Sequence, residues 1–156
     1  MRQVYIIDAS ALIDANHNYN MQKSIFVPIW KQISEMFGNR TLLSSIEIFD
    51  EVRDADLKKW LKTYKECFLP LTEEIQNNAI KILEEFPHMI NVNKGQKAGN
   101  SNGDPFLVAT AMSIQGSILV TNEKSGGIGS AKMPNVCRKY GIESINLLEF
   151  IDRVIE

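Results

Sequence analysis

The fold class is indicated first by the segment Val4-Tyr5-Ile6-Ile7-Asp8-Ala9-Ser10-Ala11-Leu12-Ile13. Its first four residues are apolar, and three of them are β-branched, which predicts a buried strand of a parallel sheet. The strand ends abruptly at Asp8, and a new apolar pattern follows. Because α/β proteins place their sites at the carboxyl ends of parallel strands, Asp8 is the first candidate site residue.

The composition is that of an ordinary globular chain. It has 156 residues, of which 44% are hydrophobic and 23% are charged, so we expect one domain over residues 1–156. No apolar run approaches the roughly 20 residues of a membrane span, and no signal peptide precedes the first strand, so we expect a cytoplasmic protein. The net charge of −2 argues against a protein that coats nucleic acid by charge alone.

Strands and helices alternate along the rest of the chain. Short apolar runs predict further strands near residues 41–43, 117–121 and 142–145. Helical patterns cover residues 10–15, 26–37 and 72–86, and another helix starts at Asp104. Residues 17–20 are interpreted as a polar connection. This order predicts an α/β fold, a three-layer sandwich with a central, mainly parallel sheet flanked by helices.

Four acids occupy positions that a parallel sheet would bring to one edge: Asp8, Glu51, Asp104 and Glu123. Carboxylates that lie close together raise one another's pKa unless a cation neutralises them. Oxygen ligands suit Mg²⁺ or Mn²⁺, which activate water and stabilise the leaving oxygen of a phosphodiester. The four acids therefore predict a metal-dependent nuclease site.

Each of these acids also has a structural alternative. Asp8 is placed to cap the helix that follows it, and Asp104 before Pro105 has the form of an N-cap. Glu123 is a loop acid that could pair with Lys124. Since a capping carboxylate can offer one oxygen to the backbone and the other to a metal, the two roles do not exclude each other.

Glu51 is selected from a group of acids on one predicted helix. Glu47 and Glu51 share a helix face because they are four residues apart. Glu47 lies three residues after Ser44, which is the spacing of a capping box, so Glu51 is the predicted ligand. Asp14 is predicted to be a solvated helix residue. The two cysteines, Cys67 and Cys137, lack zinc or disulfide spacing and are predicted to be buried.

Several motifs occur in a familiar order along nearly the whole chain. They are Asp8-Ala9-Ser10, Ser44 to Val52, Gly103-Asp104-Pro105-Phe106-Leu107-Val108-Ala109-Thr110-Ala111 and Val120-Thr121-Asn122-Glu123-Lys124. In this order they resemble the PIN domain family. The segments at residues 132–137 and 142–150 are similar, more narrowly, to the PIN-like group that includes the DUF4411 family.

This resemblance implies a metal-dependent endoribonuclease that uses Mg²⁺ or Mn²⁺, commonly the toxin of a type II toxin–antitoxin pair. The implied acidic quartet is Asp8, Glu51, Asp104 and Glu123. Asp8 and Asp104 would hold the main ion, Glu51 would complete the site or orient water, and Glu123 would assist a second ion. An aspartate is usual at the position of Glu123, which leaves its role as a direct ligand open.

The resemblance also implies partners for the site and for the chain. Ser10 and Thr121 would form hydrogen bonds within the quartet, an antitoxin protein would block the site, and the chain would form a homodimer. The RNA substrate, single-stranded or looped, needs cations outside the acidic centre. The candidates are Lys94, Lys97, Lys124, Lys132, Arg138 and Lys139.

Two other functions compete with the nuclease. A magnesium-dependent phosphoryl-transfer α/β protein also gathers acids at strand ends, but it would need a second acid beside Asp8 that Ala9 and Ser10 do not supply. A catalytically silent PIN-like module would bind nucleic acid or protein without cleaving it. The retained acids argue against that module, since a silent member would be expected to lose them.

Overall fold

A five-stranded parallel sheet is the centre of the computed structural model, which describes residues 2–89 and 104–155. The strands are β1 (Tyr5–Ile7), β2 (Leu42–Ser45), β3 (Phe68–Leu69), β4 (Ile118–Val120) and β5 (Glu143–Ile145). Their order across the sheet is β3-β2-β1-β4-β5, and all pairings are parallel. The predicted α/β sandwich with a parallel sheet is confirmed.

Eight α-helices surround the sheet in the described part of the chain. They are α1 (Ala9–Asn18), α2 (Val27–Gly38), α3 (Ile46–Glu51), α4 (Ala55–Lys62), α5 (Glu73–Glu85), α6 (Asp104–Ser113), α7 (Met133–Lys139) and α8 (Leu147–Val154). Short 3₁₀ turns occupy Ser24–Phe26, Lys65–Cys67 and Pro87–Met89. None of the helices described is both long and apolar enough to cross a membrane.

The chain reverses its direction across the sheet between β1 and β4. It moves outward from β1 through β2 to β3, then returns to the other side of β1 to add β4 and β5. Right-handed crossovers place α1 and α2 on one face and α5, α6 and α7 on the other. In such sheets a crevice forms outside the carboxyl ends of the two strands that flank the reversal, so the ends of β1 and β4 define the place to search for a site.

The core is built on these central strands. Ile6, Ile7, Leu119 and Val120 are completely buried, which explains why β1 and β4 are apolar without alternation. The helix α6 packs against α5 and against β1, β2 and β4, and most of its residues are buried. On the opposite face, the ring of Phe150 in α8 meets the ring of Tyr5 edge to face, with 5.1 Å between centroids.

The first helix is longer than predicted. The sequence pattern suggested residues 10–15, followed by a polar connection at 17–20, but α1 runs from Ala9 to Asn18. It ends where the backbone N–H of Tyr19 donates to the carbonyl of Ala15 over 2.8 Å. His17 and Asn18 are exposed, so their polarity reflects contact with solvent and does not end the helix.

The start of α3 also differs from the prediction. Ser45 caps this helix, and its hydroxyl accepts from the backbone N–H of Glu47 over 3.3 Å. Ser44 instead lies within β2, and its hydroxyl donates to the carbonyl of Ile7 over 2.6 Å. The predicted capping box between Ser44 and Glu47 is therefore wrong, because Ser44 links β2 to β1.

Both cysteines are buried and unpaired, as predicted. Burial raises the pKa of the Cys137 thiol to about 12, and the nearby Glu123 and Asp8 add to this shift. At neutral pH the thiol of Cys137 is thus protonated, and it serves as a small apolar group rather than as a nucleophile.

Candidate active site at the carboxyl edge of the sheet

Asp8 lies at the end of β1, beside the point where the chain reverses. Its backbone N–H donates to the carbonyl of Val120 over 2.9 Å, which ties it to β4. The side chain caps α1, since Oδ1 accepts from the backbone N–H of Ala9 over 2.8 Å. Asp8 is only 5% exposed. Asp8 therefore caps α1 and also lies at the sheet edge where a site is expected.

Two hydroxyl groups hold the other oxygen of this carboxylate. Ser10 Oγ donates to Asp8 Oδ2 over 2.7 Å, and Thr121 Oγ1 donates to the same atom over 2.9 Å. Ser10 comes from α1 and Thr121 from the end of β4, so Asp8 is fixed from both sides of the crevice. These are the two residues that the resemblance had placed within the acidic quartet.

Glu123 belongs to the same network. Its backbone N–H donates to Thr121 Oγ1 over 3.1 Å. Its side chain reaches α7, where Oε2 accepts from the backbone N–H of Met133 over 3.2 Å and Oε1 lies 3.6 Å from Lys132 Nζ. Glu123 therefore caps α7 from a distance, and its ion-pair partner is Lys132 instead of Lys124.

Burial opposes the charged form of both carboxylates. Burial raises the pKa of Asp8, and the hydrogen bonds from Ser10, Thr121 and Ala9 only partly oppose this effect. Burial also raises the pKa of Glu123, where repulsion by Asp8 adds to the shift while the contacts with α7 lower it. A cation bound near both groups would favour their ionised forms.

Asp104 reaches the same edge of the sheet by topology. Asp104 is the first residue of α6, and α6 leads into β4, so this helix begins on the side where the parallel strands end. Glu51 is the last residue of α3, which follows the carboxyl end of β2 and packs against α6. Both acids are half-buried and take part in interactions of their own.

The donor chemistry fits a hard divalent cation in kind, since carboxylate oxygens are the ligands that Mg²⁺ and Mn²⁺ prefer. Thr121 links the carboxylate of Asp8 to the backbone N–H of Glu123. Within residues 2–89 and 104–155, no group of three or more His, Cys, Asp or Glu side chains is arranged to hold a metal ion. The four-acid site therefore stays a prediction.

Asn122 is a linking residue that the sequence did not single out. Its side-chain N–H donates to Asp14 Oδ2 over 2.7 Å, and its Oδ1 accepts from the backbone N–H of Leu147 over 2.8 Å. Its backbone N–H donates to Ser10 Oγ over 3.1 Å. Asn122 thus joins α1, β4 and α8 around Asp8. From its sequence position, Asp14 was predicted to be solvated. In the structure it is part of this link, because it accepts the hydrogen bond from Asn122.

We expect Asn122→Ala to lower the free energy of unfolding by about 1–3 kcal/mol, because the half-buried Asp14 and the buried Leu147 each lose a hydrogen bond. Urea denaturation measures this change. The matched control is Asn135→Ala, whose side chain bonds only to loop glycines at the surface and should cost about 0.5 kcal/mol or less. Equal losses in the two variants would contradict the linking role.

The predicted RNA-contact residues separate into three groups. Lys94 and Lys97 lie outside the described residues. Lys132 pairs with Glu123, as shown above, and Lys139 Nζ lies 3.9 Å from Glu85 of α5. The remaining two are Lys124 and Arg138, which line a cleft next to Glu123.

Comparison with known proteins gives one family. A family model described as "Domain of unknown function (DUF4411)" matches residues 5–155, which is almost the entire chain. No curated protein matches the chain.

Proposed function

Since the chain belongs to the DUF4411 family, and given the geometry around Asp8, we propose that it is a metal-dependent endoribonuclease of PIN-like type. One observation carries this proposal. The buried Asp8 is held by Ser10 and Thr121 at the point of chain reversal, and Thr121 also binds the backbone of Glu123. α/β proteins bind ligands at this position.

The burial of Asp8 supports a functional role because it has a cost. A cap for α1 could be solvent-exposed, as many N-cap residues are, and would then keep its ordinary pKa. Here burial raises the pKa of Asp8, and a second acid nearby, Glu123, is raised in the same direction. Acids arranged against their own ionisation at a sheet edge are typical of functional sites.

In this proposal Asp8 and Asp104 would hold the main Mg²⁺ or Mn²⁺ ion, Glu51 would complete the site, and Glu123 would assist. When bound, the ion supplies an activated water and stabilises the leaving oxygen of the phosphodiester. Ser10 and Thr121 orient the Asp8 carboxylate, and the contact with α7 fixes Glu123. Substitution of each acid in turn tests its role.

The biological role that we propose is the toxin of a type II toxin–antitoxin pair, acting on RNA in the cytoplasm. An antitoxin protein would cover the acidic edge, and the chain would form a homodimer. These parts of the proposal come from the PIN resemblance of the motifs around Asp8, Glu51, Asp104 and Glu123. Copurification with the product of a neighbouring gene, followed by release of ribonuclease activity, tests them.

The direct test is cleavage of a single-stranded RNA by the purified chain with Mn²⁺ and with EDTA. We expect cleavage only with the metal. Glu51→Gln should lower the rate by about a hundredfold or more, because the variant loses a charge from the acidic centre. Asp50→Asn, which removes an exposed carboxylate from the same short helix, is the matched control and should cleave like the wild type. Equal rates for both variants would remove Glu51 from the site.

A catalytically silent binding module is the second candidate. The observation that favours it is that the described residues contain no ready-made group of three metal ligands. This module would bind RNA with Mn²⁺ or with EDTA and leave it intact. The same incubation distinguishes the two functions, since binding without acid-dependent cleavage would favour the module.

A further inference from the structure

A cleft of about 830 Å³ opens beside Glu123, at the carboxyl ends of β4 and β5. Its lining includes Thr121, Glu123, Asn146 and Tyr19, the residue that follows α1. The volume falls within the range of about 300–1,000 Å³ that is typical of small-molecule sites. The cleft is larger than the candidate acidic centre needs for its own carboxylates, so it has room for a bound molecule.

Two residues that line the cleft connect it to Asp8 by hydrogen bonds. Asn122 lines the cleft, and its backbone N–H donates to Ser10 Oγ, which in turn donates to Asp8. Thr121 lines the cleft as well and contacts Asp8 directly. A molecule in the cleft would therefore lie next to the candidate catalytic centre.

Two basic side chains line the cleft. Lys124 and Arg138 both line it and are exposed. Among the described residues neither forms an ion pair, whereas the neighbouring Lys132 and Lys139 are each held by a glutamate. A guanidinium without an acidic partner is suited to hold a phosphate with two parallel hydrogen bonds.

Other residues that line the cleft suit a nucleobase. Tyr19 provides a half-buried aromatic ring, and bases stack on such rings. Asn18, Asp14 and Glu149 add amide and carboxylate oxygens that accept hydrogen bonds from the N–H groups of a base. A nucleotide carries a group for each set, since its phosphate suits the two basic side chains and its base suits the aromatic ring and the acceptors.

We infer that this cleft is a subsite for one unpaired nucleotide next to the phosphodiester that is cut. Its phosphate contacts Arg138 and Lys124, and its base lies against Tyr19. Base pairing would keep a base stacked inside a helix and away from this ring, so the subsite selects single-stranded RNA. The identification of the nucleotide as part of a substrate rests on the proposed ribonuclease function.

Titration of the ¹⁵N-labelled chain with adenosine 5′-monophosphate in EDTA, followed by NMR, tests the subsite without any cleavage. We expect shifts at the backbone amides of Asn122 and Leu147, and a Kd about tenfold or more weaker in Arg138→Ala. Arg153→Ala is the matched control, because it removes a guanidinium that does not line the cleft. Shifts elsewhere, or equal weakening in both variants, would overturn the inference.

The RNA assay separates this inference from the proposed function. If the wild type cleaves RNA, Arg138→Ala should raise KM about tenfold with little change in kcat, and an unchanged KM would overturn the subsite alone. If no RNA is cleaved but adenosine 5′-monophosphate binds in the cleft, the subsite stands and the ribonuclease proposal fails. Binding of an oligoarginine peptide in place of the nucleotide would assign the cleft to a protein partner and overturn the inference.

Discussion

Substitution of Asp8 by asparagine is expected to abolish RNA cleavage and, in the absence of divalent cations, to stabilise the folded chain at neutral pH. The loss of activity should be about a thousandfold or more, because the buried carboxylate at the centre of the acidic edge loses its charge. The asparagine can still accept from the backbone N–H of Ala9 and so keep the cap of α1. Multiple-turnover assays with Mn²⁺ measure the first effect.

The gain in stability follows from the raised pKa of Asp8. In the unfolded chain this group has its ordinary pKa of 3.8, and burial raises it in the folded chain. Between the two values the folded chain keeps a proton that the unfolded chain has lost, so the free energy of unfolding falls as the pH rises. Asparagine does not titrate, and its advantage therefore appears above this window and disappears below it.

We expect Asp8→Asn to unfold about 2–4 °C higher than the wild type at about pH 7, which corresponds to about 1 kcal/mol. At a pH below the unfolded value the two proteins should unfold alike. Addition of Mn²⁺ should raise the Tm of the wild type and leave that of Asp8→Asn unchanged, since only the wild type keeps the ligand. A less stable variant at neutral pH would show that the hydrogen bonds of Asp8 outweigh its burial.

Thr121→Val is expected to lower kcat by about 10–100-fold while the chain remains folded. The threonine hydroxyl donates to Asp8 and accepts from the backbone N–H of Glu123, and it is 3% exposed. Valine keeps the shape of the side chain but frees both partners, so the orientation of the Asp8 carboxylate is lost. Thr121 is thus a positioning residue, and the loss should fall on kcat rather than on KM.

Thr110→Val is the control for this substitution. Thr110 is completely buried, and its hydroxyl donates to the carbonyl of Phe106 within α6 over 2.7 Å. Both variants lose a buried hydroxyl and should be destabilised by about 1 kcal/mol. We expect Thr110→Val to cleave RNA at the wild-type rate. Equal loss of kcat in the two variants would mean that Thr121 acts only through stability.

The sheet could be predicted from the sequence where its strands are buried and bounded by clear signals. The apolar residues 4–7, the acid at their end and the segment 117–121 led to β1 and β4, and both strands are found there. The strand β3 was not predicted, because it has two residues, Phe68 and Leu69, between Cys67 and Pro70. A pair of apolar residues shows no periodicity and is recognisable only by its pairing with Ser44 and Ser45.

The site could be predicted only in part, for a similar reason. The position of Asp8 follows from the strand that it ends, and the contacts of Ser10 and Thr121 with it agree with the motif resemblance. The link from Asn122 to Asp14 and Leu147 joins residues far apart in sequence, and no local pattern announces it. The capping of α7 by Glu123 also depends on a contact between separate segments of the chain. From the sequence, the neighbouring Lys124 was the expected partner of Glu123, whereas the structure pairs it with Lys132.

The chemistry of the cut ends shows whether water attacks the phosphodiester at the acidic edge around Asp8. A single-stranded RNA is cleaved by the wild type with Mn²⁺ in water labelled with heavy oxygen, and the products are analysed by mass spectrometry. We expect linear phosphate ends that carry the label, because the water oxygen forms the new bond to phosphorus as the leaving oxygen departs. We expect no such products with Asp8→Asn. Cyclic phosphate ends, or equal cleavage by Asp8→Asn, would contradict this mechanism.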